Sequence, residues 1–556
     1  MNEWRERLGR TVRDFSTDVL FVNPVNGAPG TRGTESSPVH YSATVAPSYL
    51  WGQFNATFPA EPVYFMHLAA QLRERGIRCE IADGFCHRFG PEQMLAVTGC
   101  FRMRIVAVAV FHNTIDDTIR FAGELKRRNP GVTIVVGSAY ASPRWMELLT
   151  VPAIDFVVVG DGELAFAELA SAILGGGPTT DLPGVACNVD GIPRLTPPQP
   201  IHDLDALPFA SRDLAPLVTE DGHGISMYST RGCAFGRCTF CYLLSYQSVG
   251  LQPRWRARSA SSVVDEIERL VVEHGVRRVT FVDEDYFGDD GAGIERALEI
   301  ARLILERGVA IKYYVNALVK SLRTVIRRGH LELLVASGLD SVFAGFESSS
   351  IDQLKEFQKP QRPDQYEHLI DELLAHGVRI NPGLITFTPT VTLDDVAANV
   401  RLARRMRYYD LYLFTRRLVD LSVDNPIVEL ASSMDKPGEN HNWLDNYRSE
   451  HSALVSSFAE PKVGELYQVM RVLTSLLVQS FQPEGLVGAE RLICARDHVI
   501  EAHYQAFAAA NEYVSQAEVS LSFDEIVSLA TRLRDTILAS AVVGVQTEPR
   551  PVVAWS

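Results

Sequence analysis

The chain has 556 residues, 46% hydrophobic and 22% charged, with a formal net charge of −15. That length accommodates about three or four domains with large cores, and the acidic balance argues against nucleic acid or anionic lipid as a tight, non-specific partner. Eight cysteines are too few for a disulfide scaffold in so long a chain. No stretch approaches the ~20 apolar residues of a membrane span, and the acid-containing start, Met-Asn-Glu-Trp-Arg-Glu-Arg, lacks the apolar segment of a signal peptide. The expectation is a cytoplasmic protein with no membrane span and no nucleic-acid partner.

The first predicted strand is 18–23, ending before Pro24. A Gly/Ser/Pro-rich loop leads to a helix over 63–75 and a strand over 78–82. The apolar run 105–111 predicts a strand, 114–128 an amphipathic helix stopped by Pro130-Gly131, and 132–136 and 156–159 two further strands. A helix over 164–174 follows Gly160-Asp161-Gly162-Glu163. Strands alternating with helices at this spacing predict a doubly wound, Rossmann-like parallel sheet over 1–175. Ligands of such sheets bind at the carboxyl ends of the strands. Those ends are Asn23-Pro24, His112-Asn113, Gly137-Ser138-Ala139-Tyr140 and Gly160-Asp161-Gly162. His112 reads as a hydrogen-bonded loop histidine rather than a metal ligand.

Residues 176–222 are rich in Pro, Gly and Asp and read as a linker with a small hairpin at Asp190-Gly191. A second α/β series then runs over 223–420. Its strands are expected at 225–230, 278–282, 311–315, 341–345, 379–386 and 411–414, with helices at 262–274, 294–307, 322–337 and 393–406 between them. About six βα units predict a partial (β/α)6 barrel of TIM type, whose chemistry belongs at the C-terminal mouth of its strands. Over 421–556 the strand signal fades, and helices at 466–481, 489–510 and 523–538 predict a helical C-terminal domain.

The most informative stretch is Arg231-Gly232-Cys233-Ala234-Phe235-Gly236-Arg237-Cys238-Thr239-Phe240-Cys241-Tyr242, just after the first barrel strand. Its C-x4-C-x2-C pattern offers three thiolates on one loop. Three thiolates leave a coordination position open, which suits a catalytic iron–sulfur cluster better than a closed structural site. A zinc knuckle would need a fourth ligand, and the nearest candidate, His223, has no finger spacing. Unrelated structural thiols are the remaining alternative. Cys79, Cys86, Cys100, Cys187 and Cys494 are scattered and read as inert thiols.

The cysteine loop resembles that of the radical S-adenosylmethionine (AdoMet, SAM) superfamily. A Rossmann-like domain ahead of it resembles the superfamily's cobalamin-binding branch. Further stretches resemble that branch's motifs: Arg256-Ala257-Arg258-Ser259 with the following Val263-Val264-Asp265-Glu266-Ile267, Phe281-Val282-Asp283-Glu284-Asp285-Tyr286-Phe287, Gly345-Phe346-Glu347-Ser348, and in the first domain 135–137 and 155–163. The chain departs from the pattern in its first cysteine gap, four residues instead of three. It also lacks the D-x-H-x-x-G motif that supplies a lower histidine ligand to cobalt, and Gly137-Ser138-Ala139-Tyr140 stands where G-G-P-H is usual.

The resemblance implies that Cys233, Cys238 and Cys241 hold a 4Fe–4S cluster whose fourth iron takes AdoMet. It implies AdoMet contacts from Phe240 near the adenine, from Asp283 and Glu284 to the ammonium, and from Glu347 and Ser348 to ribose or carboxylate. Tyr242 and Arg256 are weaker candidates for the same site. Gly137, Ser138 and Gly160 are the expected cobalamin contacts, because small residues admit a flat macrocycle; Asn113 and Thr114 are secondary ones. The 389–395 turn resembles a family motif, but Thr392 with Asp395 reads better as a helix-capping box. The implied activity is C-methylation of an unactivated carbon of a natural-product or peptide substrate, through a 5′-deoxyadenosyl radical and methylcobalamin. An electron donor such as flavodoxin or ferredoxin would be needed. Alternatives are a radical cyclase or rearranging enzyme, an AdoMet-only enzyme with a degenerate corrinoid domain, and a zinc-binding scaffold.

Overall fold

The computed structural model describes residues 3–23, 61–111 (except 85, 88 and 90), 115–220, 224–408 (except 252, 253, 289 and 290), 452, 455–481 and 496–547. Its first sheet grows from unbroken apolar runs. Strands β1 (Val19–Asn23), β2 (Cys79–Asp83), β3 (Ile105–Ala109), β4 (Thr133–Gly137) and β5 (Phe156–Val158) are parallel, in the order β2-β1-β3-β4-β5. Alternate residues serve opposite faces. Val19, Phe21, Ile105 and Ala107 join the core under helices Val63–Glu74 and Gly162–Gly175, whereas Leu20, Val22, Val106 and Val108 join the core under Pro91–Thr98 and Ile115–Arg128. A sheet covered on both sides needs apolar residues at every position, which is how these strands read. The 2-1-3-4-5 order is the flavodoxin form of the doubly wound fold, with its switch point between β1 and β3.

The stretch expected as a linker does more than connect. Strands β6 (Val185–Val189) and β7 (Ile192–Leu195), joined at Asp190-Gly191, add an antiparallel hairpin to β5 and extend the sheet to seven strands. The hairpin was expected from its turn residues, but its pairing with β5 depends on contacts distant in sequence.

The second sheet comprises β8 (Ile225–Met227), β11 (Arg278–Phe281), β12 (Lys312–Ala317), β13 (Leu339–Glu347) and β14 (Arg379–Leu384), all parallel and in sequential order. Helices Ala260–His274, Gly291–Glu306, Val319–Arg327, Leu331–Ala336, Tyr366–Ala375 and Leu393–Arg405 follow the strands. This is an open half-barrel; the sixth strand expected at 411–414 lies outside the described residues. The helix expected over 322–337 is instead two, with Gly329 between them. The strand expected over 225–230 stops at Met227, and its continuation, β9 (Thr230–Arg231), pairs antiparallel with β10 (Arg256–Ala257) in a separate ribbon. Thr392 and Asp395 do form a reciprocal capping box, as expected.

Helices Pro461–Phe481, Arg496–Gln516 and Phe523–Thr547 pack on one another as the C-terminal bundle. The bundle meets the far edge of the barrel: the Phe387 ring, beyond β14, lies 5.0 Å from that of Tyr467. Among the described residues no helix is long and apolar enough to cross a membrane.

Candidate active site

Both sheets direct the carboxyl ends of their strands into one seam. A cavity of about 280 Å³ lies there, lined from the first domain by Gly137, Ser138, Gly160 and Glu163 and from the barrel by Arg231, Gly232, Tyr242 and Glu284, among others. Tyr64, Phe111, Tyr228 and Tyr246 supply aromatic walls. Gly160 has φ +82°, and a Cβ there would stand 2.7 Å from Leu251 Cδ1. Gly137 lies against Val158, where a Cβ would approach the carbonyl oxygen to 3.3 Å. The Ser138 hydroxyl donates to the Val110 carbonyl and accepts the Ala141 amide, so it shapes the turn after β4 and leaves the wall smooth. Three expected corrin contacts are thus together on one wall, and apolar walls with small residues at strand ends fit a flat macrocycle. Asn113 and Thr114, with His112, lie outside the described residues.

The two ends of the cysteine loop, Arg231-Gly232 and Tyr242-Leu243, form the opposite wall. Cys238 is buried, and Cys233 and Cys241 are partly so. Burial pushes the Cys238 thiol up to about 11 and Cys241 up to about 12; Cys238 also feels Cys233 as a like charge, and Cys241 feels both. Cys233 is raised by burial and then by Asp285. Among the described residues no three His, Cys, Asp or Glu side chains converge as ligands of a single ion. The three thiols share one loop, and Cys233 lies close enough to raise the pKa of both Cys238 and Cys241, a grouping that suits a shared cluster.

Several residues fix the loop. Glu284, just beyond β11, accepts the Gly232 amide at 3.0 Å and the Tyr242 hydroxyl at 2.5 Å, bracketing the loop from both ends. Asp283 accepts the amides of Ser229 and Thr230 at 2.7 and 2.9 Å and the Ser229 hydroxyl at 2.5 Å. This explains why β8 ends early. Asp283, expected at the AdoMet ammonium, is thus placed with a fully buried carboxylate that serves the backbone ahead of the cysteine loop.

Its neighbour Asp285 is different. Both carboxylate oxygens are buried and accept no hydrogen bond of ordinary geometry, although the amides of Ala234, Phe287 and Gly288 face them. Burial raises this carboxyl to about 6. The side-chain oxygens of Asn316 and Asn381, on β12 and β14, are likewise buried and unsatisfied among the described residues. Unpartnered acceptors in the half-barrel, beside a cysteine loop, are what a bound cation with N–H donors would satisfy. Asp285 escaped the sequence reading because burial alone distinguishes it from Asp283 and Glu284.

At the end of β13, Glu347 holds φ +59° and accepts a 2.8 Å bond from Lys359, both side chains being buried. A Cβ on Gly345 would stand 2.5 Å from the Glu347 carboxylate, so the motif glycine leaves room for this pair. Burial opposes the Lys359 charge, but Glu347 and Cys238 outweigh it and raise its pKa. The Lys359 ammonium lies 5.8 Å from the Phe240 ring centroid, and Phe240 packs edge-on to Phe357. Ser348 bonds to Asn399 and caps the Ser350 amide, so its hydroxyl is engaged within the fold. Lys359 carried no signal in the sequence beyond being a lysine twelve residues after Glu347.

The two domains are joined by charge. Arg231 pairs with Glu163 and with Asp161 at 3.3 Å, and Arg256 reaches Asp161 at 2.6 Å. Deeper in the seam, Arg212 links Glu61 at 2.6 Å to Glu266 at 2.9 Å, and Arg258 also pairs with Glu266. Of the R-x-R-S motif, Arg256 therefore faces the first domain. Arg258 anchors the following helix, and Ser259 caps that helix by accepting the Ser262 amide.

Comparison with known proteins agrees with this architecture. Residues 227–403 match the radical SAM superfamily, and residues 54–170 match the B12 binding domain. An uncharacterized methyltransferase of Pyrococcus horikoshii is 26% identical over 351 residues, covering 62% of this chain and 73% of that protein. The anaerobic magnesium-protoporphyrin IX monomethyl ester cyclase of Rubrivivax gelatinosus is 25% identical over 376 residues, covering 65% of each. Among solved structures, the cobalamin-dependent radical enzyme OxsB with aqua-cobalamin bound superposes with a TM-score of 0.60 at 15% identity, covering 94% of this chain and 84% of that one. Together the two matched domains span more than half of the chain, and they imply its cofactors: a 4Fe–4S cluster, AdoMet and cobalamin. The chain belongs to the cobalamin-binding branch of the radical SAM superfamily and is an enzyme.

Proposed function

We propose that the enzyme methylates an unactivated carbon of a small natural-product or peptide substrate. The observation that carries this reading is the shared seam: the small-residue wall of the first domain faces the two ends of the cysteine loop, Gly232 and Tyr242, across one cavity. When bound, the cluster with AdoMet supplies hydrogen-atom abstraction, and methylcobalamin supplies the methyl group. The residues provide placement. Cys233, Cys238 and Cys241 are assigned to the cluster, and Gly137, Ser138 and Gly160 to one face of the corrin. Asp285 is assigned to the AdoMet ammonium, with Asn316 as a second buried acceptor; Phe240 and the Lys359–Glu347 pair stand beside the cysteines. Glu284 holds the loop's two ends, and the aromatic walls exclude water that would quench reactive species. The required reductant is assigned to a flavodoxin or ferredoxin.

One relative at similar identity is named as a cyclase, so the test must separate methyl transfer from ring formation. Anaerobic turnover with methyl-labelled AdoMet and candidate substrates does so. Label in the product, with 5′-deoxyadenosine and S-adenosylhomocysteine formed in roughly equal amounts, supports methylation. Deoxyadenosine alone, with an unlabelled product, replaces it with the cyclisation reading.

A further inference from the structure

The ribbon β9–β10 is only two residues long on each strand, and its register sets Arg231 directly opposite Arg256. Like charges facing across a strand pair repel. Here the repulsion is offset by Asp161 and Glu163, which enter from the first domain at the end of β5. Asp161 accepts from both arginines and from the Ile201 amide at 2.8 Å, and Glu163 takes both terminal nitrogens of Arg231. All four side chains are largely buried and line the seam cavity. Arg231 stands two residues before Cys233, so this cluster couples the wall assigned to the corrin to the loop assigned to the iron–sulfur cluster by a very short covalent path.

We infer that the Asp161–Arg231–Glu163–Arg256 cluster is a spacer that sets the separation of corrin and iron–sulfur cluster. A bidentate guanidinium suits this role because its planar fork fixes both distance and angle, which a lysine cannot do. The residues are positioning residues: they hold the two walls in register. The inference rests on the cofactor placement proposed above.

The experiment uses the full chain with reconstituted cluster and bound cobalamin, and no substrate. The cob(II)alamin electron-spin relaxation is recorded with the cluster oxidised and reduced; its enhancement by a second paramagnet falls steeply with distance. Iron and cobalamin contents are measured on the same samples. Arg231→Gln is compared with Arg231→Lys and with the triple variant Asp161→Asn, Glu163→Gln, Arg231→Gln, which leaves neither carboxylate unpaired and keeps the Arg256 bond to the Ile201 carbonyl. The expected result is cofactor content within about twofold of the parent in the triple variant, with the enhancement reduced at least severalfold, and an intermediate reduction in Arg231→Lys. Parent-like enhancement in the triple variant overturns the inference. So does loss of either cofactor from it, which would make these residues cofactor holders. A parent protein that takes up neither cofactor refutes the placement itself, a result distinct from both.

Discussion

Asp285 offers the sharpest test of the site. Its carboxyl moves from an ordinary 3.8 to about 6, with burial the main cause and Asp283 adding a like charge. A folded-state pKa above the unfolded value means that the folded protein holds more protons. Asp285 therefore penalises folding above about pH 6, and the penalty fades as pH falls through 6 towards 4. The shift corresponds to about 3 kcal/mol at neutral pH. Asp285→Asn removes the charge but leaves a buried amide, so a gain of about 1–2 kcal/mol is expected for the protein without cofactors. In a domain of this size that raises the melting midpoint of the barrel transition by about 3–6 °C, read by calorimetry at pH 7.5. The gain should shrink at pH 5. The same substitution deletes a charge-assisted acceptor, so AdoMet binding to the cluster-loaded protein should weaken about 10- to 100-fold. A stabilised apo-protein with crippled AdoMet binding is the signature of a functional group held at a cost in stability. A lower melting midpoint, or an AdoMet affinity within twofold of the parent, would refute the reasoning.

Burial raises Asp283 to about 6 as well, but its carboxylate satisfies buried donors: Asp283→Ala strands the Ser229 and Thr230 amides, costing about 2–4 kcal/mol. Calorimetry should show the loss and iron analysis a substoichiometric cluster, because the strand leading into the cysteine loop is released. Gly160→Ala forces a side chain into a left-handed conformation beside Leu251, at about 1–2 kcal/mol; cobalamin retained after gel filtration should fall while iron content stays near the parent's. The pKa values of Asp161 and Glu163 are held below their ordinary 3.8 and 4.5, where burial is outweighed by the arginines, Arg231 foremost. Depressed carboxyls contribute stability above the unfolded values and lose it as pH falls through the folded ones. The domain seam should therefore loosen as pH falls below those ordinary values, seen as a rise in radius of gyration by small-angle scattering; a seam that stays closed in acid until the whole protein unfolds would count against the charge cluster as its clasp.

Much of the architecture was legible because local patterns carried it. Short continuous apolar runs rich in β-branched residues, such as Ile105–Ala109, read as strands covered on both sides, and their alternation with amphipathic helices leaves a doubly wound sheet and a half-barrel as the economical folds. The three cysteines were legible for a related reason: metal ligation by one loop is a short-range property of spacing. What sequence could not distinguish was the roles of neighbouring acids. Asp283, Glu284 and Asp285 are consecutive, yet one staples the backbone, one brackets the cysteine loop and one is left with unsatisfied oxygens in the half-barrel. The same holds for Lys359, whose importance comes from Glu347 and Phe240 meeting it across a loop.

The amino-acid order by itself determined the two α/β units, the three-cysteine loop and the chemical family, since periodicity and cysteine spacing are written within a few residues of one another. Only the tertiary structure decided which backbone and side-chain groups each carboxylate serves, and that Arg231 and Arg256 face Asp161 and Glu163 across the seam. Desolvation and ion pairing depend on what surrounds a group in three dimensions, and those surroundings come from segments about 50 to 100 residues apart.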